Sequence, residues 1–202
     1  MKIVLATGNM GKVEEFKNIV QDSEITFIVQ SELGVSSVEE TGLTFVENAL
    51  IKARHAVAKT GLPAIADDSG LVVSALNGEP GIYSARYAGE HGAFDLCIDK
   101  VLKGLEGKEG EQRRAFFYAS IVYMADENDP TPCIVSGIWH GEILKQRQGS
   151  QGMGYDPIFY VPTHQCSAAE LNVSIKNRLS HRGQAMQALS QQLGWKVLEK
   201  HR

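Results

Sequence analysis

The sequence predicts a mixed α/β fold, and three features predict it. The chain opens on a short apolar run, KIVLA, then a turn, then apolar residues at helical spacing, which together read as strand, turn, helix. A second helical face recurs over residues 45–57. Two long runs rich in β-branched and aromatic residues, RRAFFYASIVYMAD and PCIVSGIWHGEIL, suggest an extended antiparallel sheet. With 202 residues and 43% hydrophobic content the chain can bury one full core, so a single domain over residues 1–202 is the plainest organisation, with two lobes sharing one sheet as the alternative.

Taken in order, KIVLA is a buried strand and LATGNMGK, at residues 5–12, leads into the turn. Small residues let a backbone approach a ligand closely, and Thr7, Asn9 and Lys12 bring a hydroxyl, an amide and an ammonium, which are donors for phosphate oxygens. Gly8, Met10 and Gly11 complete the turn. It is not a P-loop, because GNMGKV lacks the four-residue gap between glycines and has Val13 where Ser or Thr would hold magnesium. Nor does the segment contain the dinucleotide-binding GxGxxG. An anion grip and a plain strand-to-helix joint both stay open for it.

Val13, Phe16, Ile19 and Val20 give the first helix its apolar face, and ITFIVQ reads as a second strand. SELGVSSVEETGL is polar and loop-like. Phe45, Val46, Ala49, Leu50, Ala53, Ala56 and Val57 then line one face of a helix that stops near Gly61. LPAIADDSGLVV is strand-like on both sides of an acidic break. After the NGEPG turn, a helix is expected over residues 94–105, bounded by the charged loop EGKEGEQ. The two long strand runs meet at a hairpin around ENDPT, and a Gly-rich connection, QGSQGMGYDP, leads to a last helix over residues 180–193 and a closing strand, WKVLE.

Composition narrows the setting. Cys97, Cys133 and Cys166 are odd in number and contain no CxxC pair, so neither a disulfide framework nor a zinc site is indicated and a reducing cytoplasm is the plain reading. No apolar run approaches bilayer length, and KIVLA is too short for a signal peptide. A net charge of −4 disfavours broad binding to nucleic acid or membrane surfaces, which relies on clustered Lys and Arg. A polyanion would have to be met locally.

The acidic candidates are Glu39, Glu40 and Glu47 around the first long loop, and the adjacent pair Asp67 and Asp68, read as lying at a strand end. Two neighbouring acids repel, so their coexistence implies a cation, a hydrogen-bond network or solvent exposure. A divalent ion held by a couple of carboxylates, with phosphates and waters completing its shell, would be magnesium. The basic candidates are Lys176, Arg178, His181 and Arg182, where Ser180 could cap a helix surrounded by exposed cations. Cations in a first turn run against the macrodipole, and a ligand would explain them. Gly154, Tyr155, Asp156 and Pro157 form a rigid turn whose aromatic could stack on a base, or simply a turn.

ATGNMGK, EETGLTFVENA, ADDSGL, PGIYSARYAG, GYDPIF and SHRGQA, in that order from the first strand to the last helix, resemble the inosine triphosphate pyrophosphatase family, of its bacterial dITP/XTP type. The resemblance implies an elongated mixed sheet forming two lobes with a central cleft, usually a homodimer. It also implies Mg²⁺-dependent hydrolysis of the deaminated purine nucleoside triphosphates ITP, dITP and XTP to monophosphate and pyrophosphate. Carried over residue by residue, it places Thr7, Asn9 and Lys12 at the phosphates, and Glu40 and Asp68 at the metal, with Asp68 also the general base. Ser69, Lys176, His181 and Arg182 would contact the nucleotide, with Met153, Gly154, Tyr155 and Asp156 in the same set. Met153 departs from the pattern, because many relatives have Phe there; a thioether can still pack on a ring face. Two other readings compete: a septum-associated pyrophosphatase of pyrimidine triphosphates, against which SHRGQA and GYDPIF argue, and a non-catalytic nucleotide sensor, which would not need Asp68.

Overall fold

The computed structural model describes residues 1–20 and 22–196. Its strands are β1 (Lys2–Leu5), β2 (Thr26–Val29), β3 (Ala64–Val73), β4 (Arg114–Met124), β5 (Cys133–Ile143), β6 (Phe159–Val161) and β7 (Cys166–Ser167). Its helices are α1 (Met10–Ile19), α2 (Phe45–Thr60), α3 (Phe94–Gly104), α4 (Val173–Leu179) and α5 (His181–Leu193). The strands form one seven-stranded sheet in the order β2-β1-β3-β4-β5-β6-β7. β1 runs parallel to β2 and β3, whereas β6 is antiparallel to both β5 and β7, so the fold is mixed α/β as the sequence predicts. The chain divides into two compact units: one comprises Met1–Asp68, Ala119–Gly137 and the stretch beginning at Arg182, the other Ser69–Tyr118 and Ile138–His181.

In the first unit the period of two along β1 sends alternate residues to opposite faces. Ile3 and Leu5 pack with Val13, Phe16 and Ile19 of α1, Ile65 of β3, and Met186 and Leu189 of α5. Val4 and Ala6 pack on the other face with Ala49, Ala53 and Ala56 of α2, and with Ala64 and Ala66 of β3. α2 is bounded by complementary caps: Thr44 accepts the Glu47 amide at its start, and Gly61, at φ 65°, takes the left-handed conformation that ends it.

The second unit packs Leu71, Val73, Ile98, Val101, Phe117, Trp139 and Phe159 into one core. Beside it the buried Arg113 guanidinium donates to four main-chain carbonyls: Nε to Ile143 at 2.6 Å, Nη1 to Leu105 at 2.9 Å and Lys108 at 3.3 Å, and Nη2 to Leu144 at 2.7 Å. One side chain thereby ties the end of β5 to the segment after α3. Arg113→Met keeps the aliphatic stem but strands these acceptors, and should cost about 2 kcal/mol of unfolding free energy, measurable by urea titration.

Several local expectations are corrected. β3 is one continuous strand through Asp67 and Asp68, not two pieces around an acidic break. The expected helix over residues 180–193 begins instead at His181, and a separate short helix, α4, ends at Leu179, with Ser180 between the two at a ψ of 155° that interrupts helical geometry. ITFIVQ yields a strand only over Thr26–Val29, because Gln30–Leu33 turns into a single 3₁₀ turn. Trp195 and Lys196 are not in a strand, and residues 197–199 of the expected closing strand lie outside the described residues. Cys97, Cys133 and Cys166 are unpaired thiols. Among the described residues no helix is long and apolar enough to cross a membrane.

Candidate active site

The turn after β1 is the N-terminus of α1, and its residues 8–10 are exposed. Asn9 is the N-cap: its Oδ1 accepts from the Gly11 amide at 3.0 Å and the Lys12 amide at 3.4 Å. Thr7 Oγ1 accepts from the Asn9 amide at 3.1 Å. Capping commits the Asn9 oxygen and leaves its NH₂ as the outward donor, at the positive end of a helix dipole.

β3 explains how two adjacent acids coexist. Successive residues point to opposite faces, so Asp67 follows Ile65 toward α1 and α5, while Asp68 follows Ala66 toward α2. The two acids then pair with different cations, Asp67 with Lys12 and Arg182 and Asp68 with Lys52. Asp67 Oδ2 lies 2.9 Å from Lys12 Nζ and 3.2 Å from Arg182 Nε, and the Arg182 Nη1 also pairs with Glu15 of α1. Burial opposes ionisation of Asp67, but Lys12 and Arg182 outweigh it and hold the carboxyl far below the ordinary carboxylate range. Arg182 is itself buried, as are Lys176 and His181, so of the four basic residues around Ser180 Arg178 alone is exposed.

Asp68 has a different environment. Its Oδ1 is 3.0 Å from Lys52 Nζ, and the same ammonium lies 2.8 Å from Glu40 Oε1. Asp68 Oδ2 accepts from Asn48 Nδ2 at 3.3 Å. Burial raises the Asp68 carboxyl above its usual value; Lys52 opposes this and the Glu40 charge reinforces it. Burial draws Lys52 down, yet Asp68, Asp67 and Glu40 together leave it raised, so the ammonium is charged.

Glu40 and Asp68, the expected metal ligands, therefore converge on one cation in this unit. Glu47 does not join them: it is exposed and its Oε2 accepts from the Leu43 amide and the Thr44 hydroxyl, a helix-capping role. Glu39 is exposed. Among the described residues no group of three or more His, Cys, Asp or Glu is placed to hold a metal ion. Two facing carboxylate oxygens that already share a cation suit a hard ion that completes its shell with phosphate and water.

The second unit gathers the other expected residues. Asp156 Oδ2 accepts from the Met153 amide at 2.7 Å and pairs with Lys176 Nζ at 2.5 Å, which fixes the turn over residues 153–156 to α4. Gly152, at φ 81°, lies so close that a Cβ there would collide with the Asp156 carboxylate. Gly154 and Met153 are half-buried. Tyr155 is not a stacking surface for a base: it is 2% exposed, its hydroxyl donates to the Ser84 carbonyl at 2.8 Å, and Phe94 packs edge-on against its ring. His181 stacks on Phe117, with ring centroids 4.8 Å apart, and Ser69 is half-buried in β3. Arg178 is exposed.

Sequence reasoning misses Lys52, Asn48 and Glu15. Their signal is positional: Asn48 and Lys52 are polar residues four apart beside the apolar stripe of α2, and Glu15 follows Lys12 by three on α1.

The Ham1 family model matches residues 3–192, and the chain belongs to that family. It is 53% identical over 190 residues to a dITP/XTP pyrophosphatase of Coxiella burnetii, covering 94% of this chain and 95% of that one. A dITP/XTP pyrophosphatase of Photobacterium profundum is 55% identical over 188 residues, covering 93% and 95%. The solved structure of a HAM1 protein from Coxiella burnetii superposes with a TM-score of 0.90 at 52% identity, over 96% of this chain and 98% of that one.

Proposed function

We propose that this chain is a Mg²⁺-dependent pyrophosphatase that hydrolyses ITP, dITP and XTP to the nucleoside monophosphate and pyrophosphate. The observation that carries the reading is the convergence of Glu40 and Asp68 on a single cation in a chain whose relatives, at 53% and 55% identity, are dITP/XTP pyrophosphatases. Neither a pyrimidine pyrophosphatase nor a non-catalytic sensor is favoured by those relatives.

The roles follow from charge and position. Thr7, Asn9, Lys12 and the exposed backbone of residues 8–11 receive the triphosphate at the N-terminus of α1. Asp68, its carboxyl raised above the ordinary carboxylate value by burial, takes the proton from the attacking water. Glu40 and Asp68 would hold Mg²⁺, which when bound neutralises phosphate charge and polarises phosphoryl oxygens. Lys52 neutralises the two acids, and Asp67 holds Lys12 and Arg182 in place. Ser69, Met153, Gly154, Lys176, His181 and Arg182 serve the nucleoside, while Asp156 and Tyr155 support the turn rather than touch the base. Hypoxanthine and xanthine present an O6 acceptor and an N1–H donor, and adenine reverses both, so a site built for the former can reject ATP by on the order of 10⁴-fold.

The direct test is a panel of ITP, XTP, dITP, GTP, ATP and CTP with Mg²⁺, identifying the phosphate released. Pyrophosphate from ITP, dITP and XTP, with little from ATP or CTP, is the expected result; orthophosphate release or equal turnover of CTP overturns the reading. A second test concerns the metal. Glu40→Gln should raise the Mg²⁺ concentration for half-maximal activity by at least about tenfold, since loss of even an outer partner costs that much. An unchanged Mg²⁺ requirement would move the role to Glu39.

A further inference from the structure

Asn48 is fully buried on α2, and both ends of its amide are used. The Gly42 amide donates to its Oδ1 at 2.8 Å, and its Nδ2 donates to Asp68 Oδ2 at 3.3 Å. Gly42 lies two residues beyond Glu40, in the loop that leads into α2. An N–H must meet an acceptor, so Gly42 dictates which way the Asn48 amide is turned and hence that its donor side faces Asp68. One turn further along α2, Lys52 contacts Glu40 and the other oxygen of Asp68, and a further turn on, His55 Nε2 lies 3.1 Å from the Ser36 carbonyl. A stripe at positions 48, 52 and 55 thus fastens the acidic loop to the helix while dividing the two oxygens of Asp68 between a neutral donor and a cation.

We infer that Asn48 is a positioning residue, which through a single side-chain amide sets the Glu40 loop against Asp68 and holds that carboxylate in its reactive orientation. The inference rests on the role proposed above for Asp68. A neutral amide is suited to the position because it directs one carboxylate oxygen without placing a second cation beside Lys52, which already holds the other. The loop side of the clamp is tight as well. A Cβ on Gly42 would sit 2.6 Å from Glu47 Cβ and 2.7 Å from Asn48 Oδ1, so Gly42→Ala wedges the loop away while leaving Asn48 intact.

The test compares Asn48→Leu, which deletes both hydrogen bonds at similar volume, with Gly42→Ala, which disturbs the clamp from the loop side. In both, kcat for ITP should fall about tenfold to a hundredfold with KM within about twofold, the signature of a misplaced reacting group rather than lost binding. In the nucleotide-free and metal-free protein, amide exchange of loop residues 40–43 should accelerate by about tenfold or more, because the protecting acceptor is gone or displaced. If Asn48→Leu does not fold, Gly42→Ala decides alone. Wild-type turnover in these variants, with Asp68→Asn inactive, overturns the inference and leaves the proposed function standing. Equal loss in KM and kcat/KM with kcat kept assigns Asn48 to binding and overturns it too. Near-normal turnover in Asp68→Asn overturns the role of Asp68 and the inference together.

Discussion

Asp68→Asn should lower kcat for ITP by about 10²–10⁴-fold, the range a positioned general base contributes, while the protein still binds nucleotide. The amide keeps the shape of the carboxylate and retains one oxygen for Lys52 or for Asn48, but it cannot take a proton from water. The geometry also separates chemistry from unfolding. Glu40 Oε1, 2.8 Å from Lys52 Nζ, still meets the ammonium when Asp68 is replaced, so the variant should remain folded and its lost turnover can be read apart from unfolding. Binding of a non-hydrolysable ITP analogue by titration calorimetry, set beside single-turnover rates, makes the measurement. Turnover within about threefold of wild type would remove Asp68 as the base, given the far larger loss expected of one.

What the sequence reveals divides along physical lines. The β1 strand, the turn and α1 are legible because short-range rules decide them: apolar spacing for Val13, Phe16 and Ile19, and an Asn in the N-cap position. α2 is legible for the same reason, down to its stop at Gly61. The acidic pair in β3 reads as a break when charge repulsion is weighed without the strand's alternation, which sends Asp67 and Asp68 to separate cations. Those cations cannot be found by spacing: Arg182 meets Glu15 across 167 positions of sequence and Asp67 across 115. Lys52 and Asn48 are hidden differently, as ordinary polar residues of an amphipathic helix until Glu40 and Asp68 are seen to face them. Tyr155 misleads in the opposite direction. An aromatic in a Gly-Pro turn suggests a platform, and only the packing of Phe94 and the Ser84 carbonyl reveals a core residue.

Asp67→Asn should destabilise the protein by about 3 kcal/mol or more, because removing one member of a buried ion pair leaves its partners' charges uncompensated. The Asp67 side chain is fully buried, and its one oxygen serves both Lys12, 16% exposed, and Arg182, 6% exposed. Glu15 remains to meet Arg182, and Lys12 can turn partly to water, so the loss should fall at the lower end of the range for such pairs. The pH dependence fixes the cause. Lys12 and Arg182 depress the Asp67 carboxyl on folding below its unfolded value of 3.8, so its stabilisation is fully present above that value and is lost as pH falls through the folded pKa. Urea unfolding of wild type and variant should therefore differ by a constant amount from neutral pH down to about pH 4, and the gap should narrow only below it. A gap that closes between pH 8 and pH 6 would assign the effect to another titrating group, and no gap at all would mean that Glu15 alone neutralises the cluster. Because the same carboxylate orients Lys12, the variant should also bind ITP more weakly at a temperature where it is fully folded, which distinguishes a lost phosphate contact from a lost fold.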